Sequence, residues 1–505
     1  MQYFLDGCLL WGGVALLIWA ARPAAPFSRE TVEMVYGDHC LATVCVAVAV
    51  ILLCTLPMSL APIWNGDIPD HRNQYEVMAE SILDGRVDLD YGDMDPRLLA
   101  MDNPYSPVRR VEEDVFFHHD HALYNGHYYM YFGVVPVFLV FLPFRVMTGA
   151  SLTTYHATQI FTALFIAGVF ALFFLLAKQF FRRMPWTVYL TLSAAVSVMS
   201  VWYLSAAPAL YCTAISAGIC MEIWSLFFFG KAVWDGDGGW KSACMGALGS
   251  LFGALAFGCR PTVALANLLA IPLFIRYVKG KRPDGKLFRQ ILAVLAPYIV
   301  IGALLMWYNY IRFDDPFEFG QTYQLTFADQ SGYGSLLARL DLNKVVRGLG
   351  EAFVVHVPLT DTFPYVTHQS VLFNFPICFV ALLCLVPRDT RSLVKKHHLT
   401  GLTVGLLLCP ILITVFHVLE APYLLERYRS DIYWLVGIFL FLAFGHFLET
   451  LGENGRRICG FGVSLLALIT LFQGIILWMV PYDANYTGWF PEKLDEIARV
   501  LRLGF

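Results

Sequence analysis

The chain has 505 residues, 58% of them hydrophobic and 15% charged, with a mean hydropathy of +0.59. Soluble domains run about 45–50% apolar and about 25% charged, so both figures exclude a string of soluble domains and point to the bilayer. A net charge of −4 leaves no electrostatic footprint for nucleic acid.

Thirteen apolar runs approach the ~20 residues that a spanning helix needs. In chain order they are Tyr3–Ala21, Cys40–Leu60, Tyr129–Met147, Ala157–Lys178, Trp186–Ser205, Pro208–Gly230 and Ser242–Gly258. Thr262–Ile275, Ile291–Ile311, Val371–Val386, Leu399–Val418, Ile432–Phe447 and Cys459–Val480 complete the set, with Thr262–Ile275 and Val371–Val386 marginal by length. Asp6 stands where a cleavable signal peptide would carry its basic region, so none is expected. The cysteines, including Cys45, Cys54, Cys212, Cys220, Cys378, Cys384 and Cys409, fall in apolar runs without a CxxC pair and read as small buried hydrophobes.

Lys and Arg gather in four places: 178–183, 276–289, 388–396 and 456–457. All four are expected on the cytoplasmic side, and even numbers of runs separate them. Between Ala61 and Tyr128 lie fourteen acids, five arginines and no lysine, which argues for an external loop. An external loop and a cytoplasmic Arg182 need an odd number of crossings between them, yet two runs intervene. The expected resolution is that Tyr129–Met147, which carries Pro136, Pro143 and Arg145, lies along the outer interface instead of crossing. The other resolution places the acidic loop in the cytoplasm. Under the first, twelve runs cross and both termini are outside. The expected layout is N-terminal spans (1–60), a first external loop (61–150), a bundle (151–311), a second external loop (312–370), a C-terminal bundle (371–480) and an external tail (481–505). A surface helix within 335–354 and an amphipathic turn or two in LDEIARVLRL are expected in the last two external pieces.

In the first loop, Tyr75, Met78, Ala79, Ile82 and Leu83 follow the period of one helical face, with Glu76, Glu80 and Asp84 beside it and Gly85 as a stop. Asp70 precedes this short surface helix, where a carboxylate serves either as a cap or as a catalyst. His118, His119, Asp120 and His121 read as a phosphate or metal contact, or as a polar hydrogen-bonding loop; neighbours in an irregular loop converge poorly on one ion. Asp88, Asp90, Asp93 and Asp95 fail the EF-hand pattern and read as a solvated acidic turn.

The surface helix, the acid at its head, the A-E-x-[IL]-L-x-G-R cadence and the Pro-containing apolar segment resemble the GT-C superfamily, whose members transfer sugars from polyprenyl phosphates. Protein mannosyltransferases and the aminoarabinose transferase of lipid A belong to it. The resemblance implies an all-α polytopic membrane protein, a GT-C-like bundle of about 11–13 transmembrane helices whose large first external loop carries two surface helices, Tyr129–Met147 being the second. It implies a catalytic Asp at Asp70, with Asp67 the nearest other acid; His71 follows Asp70 where several relatives have an acid. It also makes His127 a donor-phosphate candidate, since relatives often carry Lys or His there.

Beyond the loop, Arg260 lies between two runs on the outer side, where it either binds a lipid phosphate or snorkels. Arg427 and Arg429 stand at the external end of a span, against the positive-inside trend, and are expected at the donor phosphate unless they pair with Glu426 and Asp431. Arg72, Tyr75, His119 and Asp120, with Glu318 and Tyr323 of the second loop, complete the candidate substrate contacts. The expected activity is inverting glycosyl transfer at the outer face of the plasma (inner) membrane, from a polyprenyl-phosphate donor to an extracytoplasmic acceptor, with Asp70 as general base. No cofactor is firmly implied, and a divalent metal is left open. The rival is a transporter or flippase, which needs ionisable groups at mid-membrane, and such charges are nearly absent.

Overall fold

The computed structural model describes residues 2–35, 40–65, 72–236, 238–334, 338–355, 357–358, 367–368, 370–421, 424–479 and 490–503. Asp67, Asp70 and His71 lie outside the described residues. The chain is an all-α polytopic membrane protein, with ten described helices long and apolar enough to cross a bilayer. In order, the principal helices are α1 (Gln2–Ala21), α2 (Cys40–Asn65), α3 (Gln74–Leu83), α4 (Leu142–Thr148), α5 (Thr154–Phe180), α6 (Trp186–Ala206), α7 (Leu210–Trp234), α8 (Trp240–Cys259) and α9 (Ala270–Val278). They continue as α10 (Gly285–Phe313), α11 (Leu342–Phe353), α12 (Ile377–Cys384), α13 (Arg388–Lys396), α14 (Thr400–Glu420), α15 (Ser430–Glu449), α16 (Glu453–Met479) and α17 (Phe490–Leu501).

Three apolar runs are not continuous spans. Residues 263–278 begin as the 3-10 helix Val263–Leu269 before α9. The run from Val371 breaks at Pro376, which lacks an N–H, into Val371–Asn374 and α12. The run from Tyr129 becomes an Asn-Gly hairpin strand, a π-helix (Val137–Phe141) and α4. Its helical part covers twelve residues, about 18 Å long against the ~30 Å of a hydrocarbon core. Arg145 on α4 pairs with Glu80 of α3 at 2.8 Å, so this segment lies against the surface helix.

The bundle centre is α6, α7 and α15, each more than four-fifths buried. Ser193, Ser197 and Ser200 return their hydroxyls to carbonyls four residues back at 2.6–2.7 Å, so they bury no unpaired group. Gly437 packs directly on Val196, where a Cβ would collide, and this lets α15 lie close to α6. α10 is the outermost span, with Ile299, Leu304 and Trp307 exposed on its flank. Cys45 is exposed as well, contrary to the expectation that it is buried, because α2 turns that face outward. Mid-membrane polarity is also richer than expected: Glu222, halfway along α7, is fully buried against Asn267.

The basic clusters meet at one end of the bundle, where the Arg276 guanidinium donates to the His397 carbonyl at 2.6 Å. α2 starts at this end, with Thr43 bonded to Trp186, and the acidic loop lies at the other. That loop has its own core. Tyr75 stacks on Phe141 (5.0 Å) and Phe132 (6.2 Å), and Val77, Met78, Leu98, Val115 and Leu123 close around them. The hairpin Ala122–Tyr124/His127–Tyr129 turns on Asn125 and Gly126, both at positive φ, the two-residue turn that Asn-Gly favours. It stitches the second loop on: Leu123 N–H donates to the Tyr323 carbonyl, and Leu325 N–H to the His121 carbonyl.

α3 covers the expected residues, with Gly85 at φ +74° just past its end. Its cap is Asn73, which accepts from the N–H groups of Tyr75 and Glu76 at 3.1 Å, so the capping role considered for Asp70 belongs to Asn73. α11 falls within the expected surface-helix segment, and α17 is three turns long and docked on α1 through the Trp11 indole, which donates to the Leu501 carbonyl.

Candidate functional site

At the loop end of the bundle a cavity of about 540 Å³ is walled by both apolar spans and polar loops. Residues 119–134 form one side. The start of α7, the ends of α8, α10 and α14, the second loop around 319–330 and the turn 425–428 form the rest.

Asp120 enters from two residues before the hairpin, at φ +56°, a left-handed conformation that Asp tolerates. Its carboxylate accepts from the Tyr211 hydroxyl at the head of α7 and from Gln324 Nε2 at 2.9 Å, and His119 Nε2 lies 3.4 Å away. The backbone is fixed too: Gln74, the first residue of α3, donates to the Asp120 carbonyl at 2.8 Å and accepts from the Tyr131 N–H at 3.0 Å. The surface helix therefore reads out directly into the cavity wall. Burial holds the Tyr131 phenol well above its usual range, so it stays protonated.

Three arginines reach this cavity, each differently held. Arg260 is engaged by Asp431, its Nε lying 3.0 and 2.8 Å from the two carboxylate oxygens. Asp431 also accepts from His417 Nε2 at 2.8 Å and Thr262 Oγ1 at 3.1 Å, which leaves this buried carboxylate fully partnered. The Arg427 guanidinium sits over the Tyr211 ring, 4.1 Å from its centre, and Tyr428 beside it stacks on His417. Arg312, at the end of α10, donates to the Met130 carbonyl at 2.8 Å and Asn309 Oδ1 at 2.7 Å and stacks on Tyr308. Glu420 adds a carboxylate to the wall. Cationic donors beside carboxylates in a partly closed chamber suit a reaction that releases a phosphate and removes a proton.

Of the residues expected at a site, Asp120, His119, Arg260 and Arg427 line this one cavity. Others do not line it. Arg429 is buried in an ion pair with Glu426, so the self-pairing alternative holds for it. Tyr75 is fully buried core of the loop, unavailable to a substrate. His127 lies 3.4 Å from Asp88 on the hairpin's exposed side. Arg72 donates to the Asp90 carbonyl and faces Tyr91. Glu318 accepts from Thr322 Oγ1 and the Gly320 N–H, closing its own turn, and Tyr323 stacks on Tyr124 behind the hairpin.

The H-H-D-H run does not converge. His118 turns to Asp93 (2.9 Å), His119 packs on Phe327, and His121 sits between Tyr91 and Gln74. Burial pushes the His121 imidazole down to about 4. No group of three or more His, Cys, Asp or Glu among the described residues is arranged for a metal ion. Asp90 and Asp95 cap their own turns at Gly92 and Arg97.

Tyr211, Gln324, His417, Glu420 and Arg312 are cavity residues that sequence reasoning passed over. Arg312 had a usable signal, since it ends a span on the same side as Arg427.

No family model matches the chain, and no curated protein matches it. Among solved structures it is similar to the apo-form crystal structure of the Archaeoglobus fulgidus oligosaccharyltransferase, at 13% identity and a TM-score of 0.48. The match covers 93% of this chain and 60% of that one, so the chain spans about 60% of that protein's length. At that level no residue's role passes from one protein to the other.

Proposed function

We propose that this chain is a GT-C-like membrane glycosyltransferase that moves a sugar from a polyprenyl-phosphate donor to an extracytoplasmic acceptor with inversion. The observation that carries the reading is the cavity itself: a chamber at the membrane-facing end of a polar loop, where Arg427 and Arg312 stand with Asp120 and Glu420. In this reading, Arg427 and Arg312 bind the donor phosphate and stabilise the charge it gains as the glycosidic C–O bond breaks. The acceptor hydroxyl attacks the anomeric carbon from the opposite face, and a carboxylate takes its proton. Asp70 is proposed as that base. It is tethered four residues before Gln74, whose side chain already bonds the cavity wall. Asp120, held by Tyr211 and Gln324, orients the acceptor.

Purified protein given synthetic polyprenyl-phosphate sugars should release polyprenyl phosphate and glycosylate an acceptor. Asp70→Asn should abolish transfer with the protein still folded, and Arg427→Ala should lower kcat about 10²-fold or more. Near-normal activity of Asp70→Asn removes the base assignment. Glu222 at mid-membrane favours the second reading, a transporter. Substrate uptake by proteoliposomes without any transfer chemistry would select it.

A further inference from the structure

The second external loop lays a strap, residues 319–330, along one side of the chamber. The first loop clamps it at several points. Asp120 N–H donates to the Leu325 carbonyl at 2.8 Å, and the buried Arg110 guanidinium donates to the Thr326 carbonyl at 2.6 Å. Asn103 Nδ2 donates to the Asp329 carboxylate at 2.8 Å. With its backbone held in this way, the strap presents its side chains to the chamber in set positions.

The amides on it form a series with a fixed direction. An ionised Asp120 carboxylate only accepts, so Gln324 presents Nε2 to it at 2.9 Å and turns Oε1 away. That Oε1 accepts from Gln330 Nε2 at 3.0 Å, which leaves Gln330 Oε1 at the end of the series. This last oxygen is buried in the chamber wall and has no hydrogen-bond donor. Glu420, on the same cavity, accepts no hydrogen bond from a described residue. Acceptors left open on a partly closed wall call for donors from a ligand.

Two aromatic faces stand beside the amides. Phe327 is 79% exposed and rests on His119, with ring centres 4.4 Å apart, and Phe319 meets Phe257 edge to face at 5.7 Å. Aromatic faces carry slight negative charge and attract the C–H faces of a sugar ring. Charge narrows the ligand further. Residues 319–330 hold no Lys or Arg, and the cavity's three arginines come from the ends of α8 and α10 and from the turn before α15. An anionic group laid on the strap would meet Asp120 and Glu420 without a strap cation to offset them.

We propose that the strap is the acceptor subsite and that the acceptor is a neutral glycan, one sugar ring lying on Phe327 and its hydroxyls donating to Gln330 and Glu420. The inference rests on the glycosyltransferase reading and adds the acceptor's class to it. The open face of Phe327 looks out on the loop side, from which a glycan arrives, whereas the donor sugar arrives with its lipid from the bilayer.

The test gives purified protein a panel of synthetic polyprenyl-phosphate sugars and three kinds of acceptor. These are neutral hexose oligosaccharides, the same oligosaccharides bearing a phosphate or a carboxylate, and a peptide rich in Ser, Thr and Asn. The neutral oligosaccharides should be glycosylated, with kcat/KM at least about tenfold above the acidic analogues. Phe327→Ala should raise the oligosaccharide KM about tenfold while donor KM moves less than about twofold, and Phe327→Tyr should restore it. Gln330→Lys should shift preference toward the phosphorylated analogue. A neutral oligosaccharide carrying a diazirine should label residues 319–330 of the native protein, which keeps the test open if a variant misfolds. Equal or better transfer to the peptide or the acidic analogues, or an unchanged oligosaccharide KM in folded Phe327→Ala, overturns the glycan subsite. Absence of polyprenyl phosphate release with every acceptor, water included, overturns the glycosyltransferase reading itself.

Discussion

Arg260, Arg312, Arg427 and Arg429 all stand at the loop end of the bundle, yet only the structure separates their roles. Arg429 lies one helical turn from Glu426 and is used up there, while Asp431 reaches across to Arg260. Sign and position along a span were legible in the sequence; which carboxylate each guanidinium meets depends on how α8 and α15 pack, and local sequence does not encode that. His121 makes a residue-level prediction. Its imidazole drops from 6.5 to about 4 because it is buried neutral, so the unfolded loop binds a proton that the folded loop refuses. The stability contribution is complete above about pH 6.5 and is lost as pH falls toward 4, by up to about 3 kcal/mol. Hydrogen exchange of the Ala122–Tyr129 hairpin, corrected for intrinsic rates, should quicken across that window, and His121→Gln should flatten the dependence.

Among the elements, α3 was the most readable, because its apolar period and its stop at Gly85 are local signals. Asp70 and Asn73 are both residue types that cap well, and the bonds from the Tyr75 and Glu76 N–H groups give that role to Asn73. The hairpin was missed although Asn125-Gly126 is a strong turn signal; the aromatic run after it reads equally as the start of an apolar helix. Tyr75 joins α3 to the π-helical segment, so Tyr75→Ala should open a cavity costing about 3–5 kcal/mol of the loop's stability. Limited proteolysis should then cut between residues 84 and 118 under conditions that leave the native loop whole. Since Gln74 positions the Asp120 carbonyl, the same variant should also lose activity.

At the scale of the whole molecule, charge placement and hydropathy disagree over one run. Length alone makes Tyr129–Met147 a span, while the count of crossings between an external acidic loop and a cytoplasmic Arg182 favours a segment that does not cross. The structure breaks it into a strand, a π-helix and α4. The short segments 263–278 and 371–384 were ambiguous in sequence because each is broken, one by 3-10 winding and one by Pro376. The layout predicts opposite labelling of two surface positions. With the exposed Cys8, Cys40, Cys45 and Cys244 replaced, Glu112→Cys should react with an impermeant maleimide from outside intact cells. Arg282→Cys should react only after the membrane is opened. Labelling of both from the same side would refute the layout.

The ion pair between Arg260 and Asp431 also has a history in time. The two residues are 171 positions apart, and synthesis runs from the N-terminus. Arg260 therefore enters the membrane long before its carboxylate exists, and each growing chain passes through a stage with a solitary guanidinium at the end of α8. A chain stalled after α10 lacks Asp431 and the cavity-lining residues between 417 and 428, so it carries the Arg260 charge without a complete chamber. Completion of the cavity and pairing of the charge thus fall within one short stretch of chain, residues 417–431.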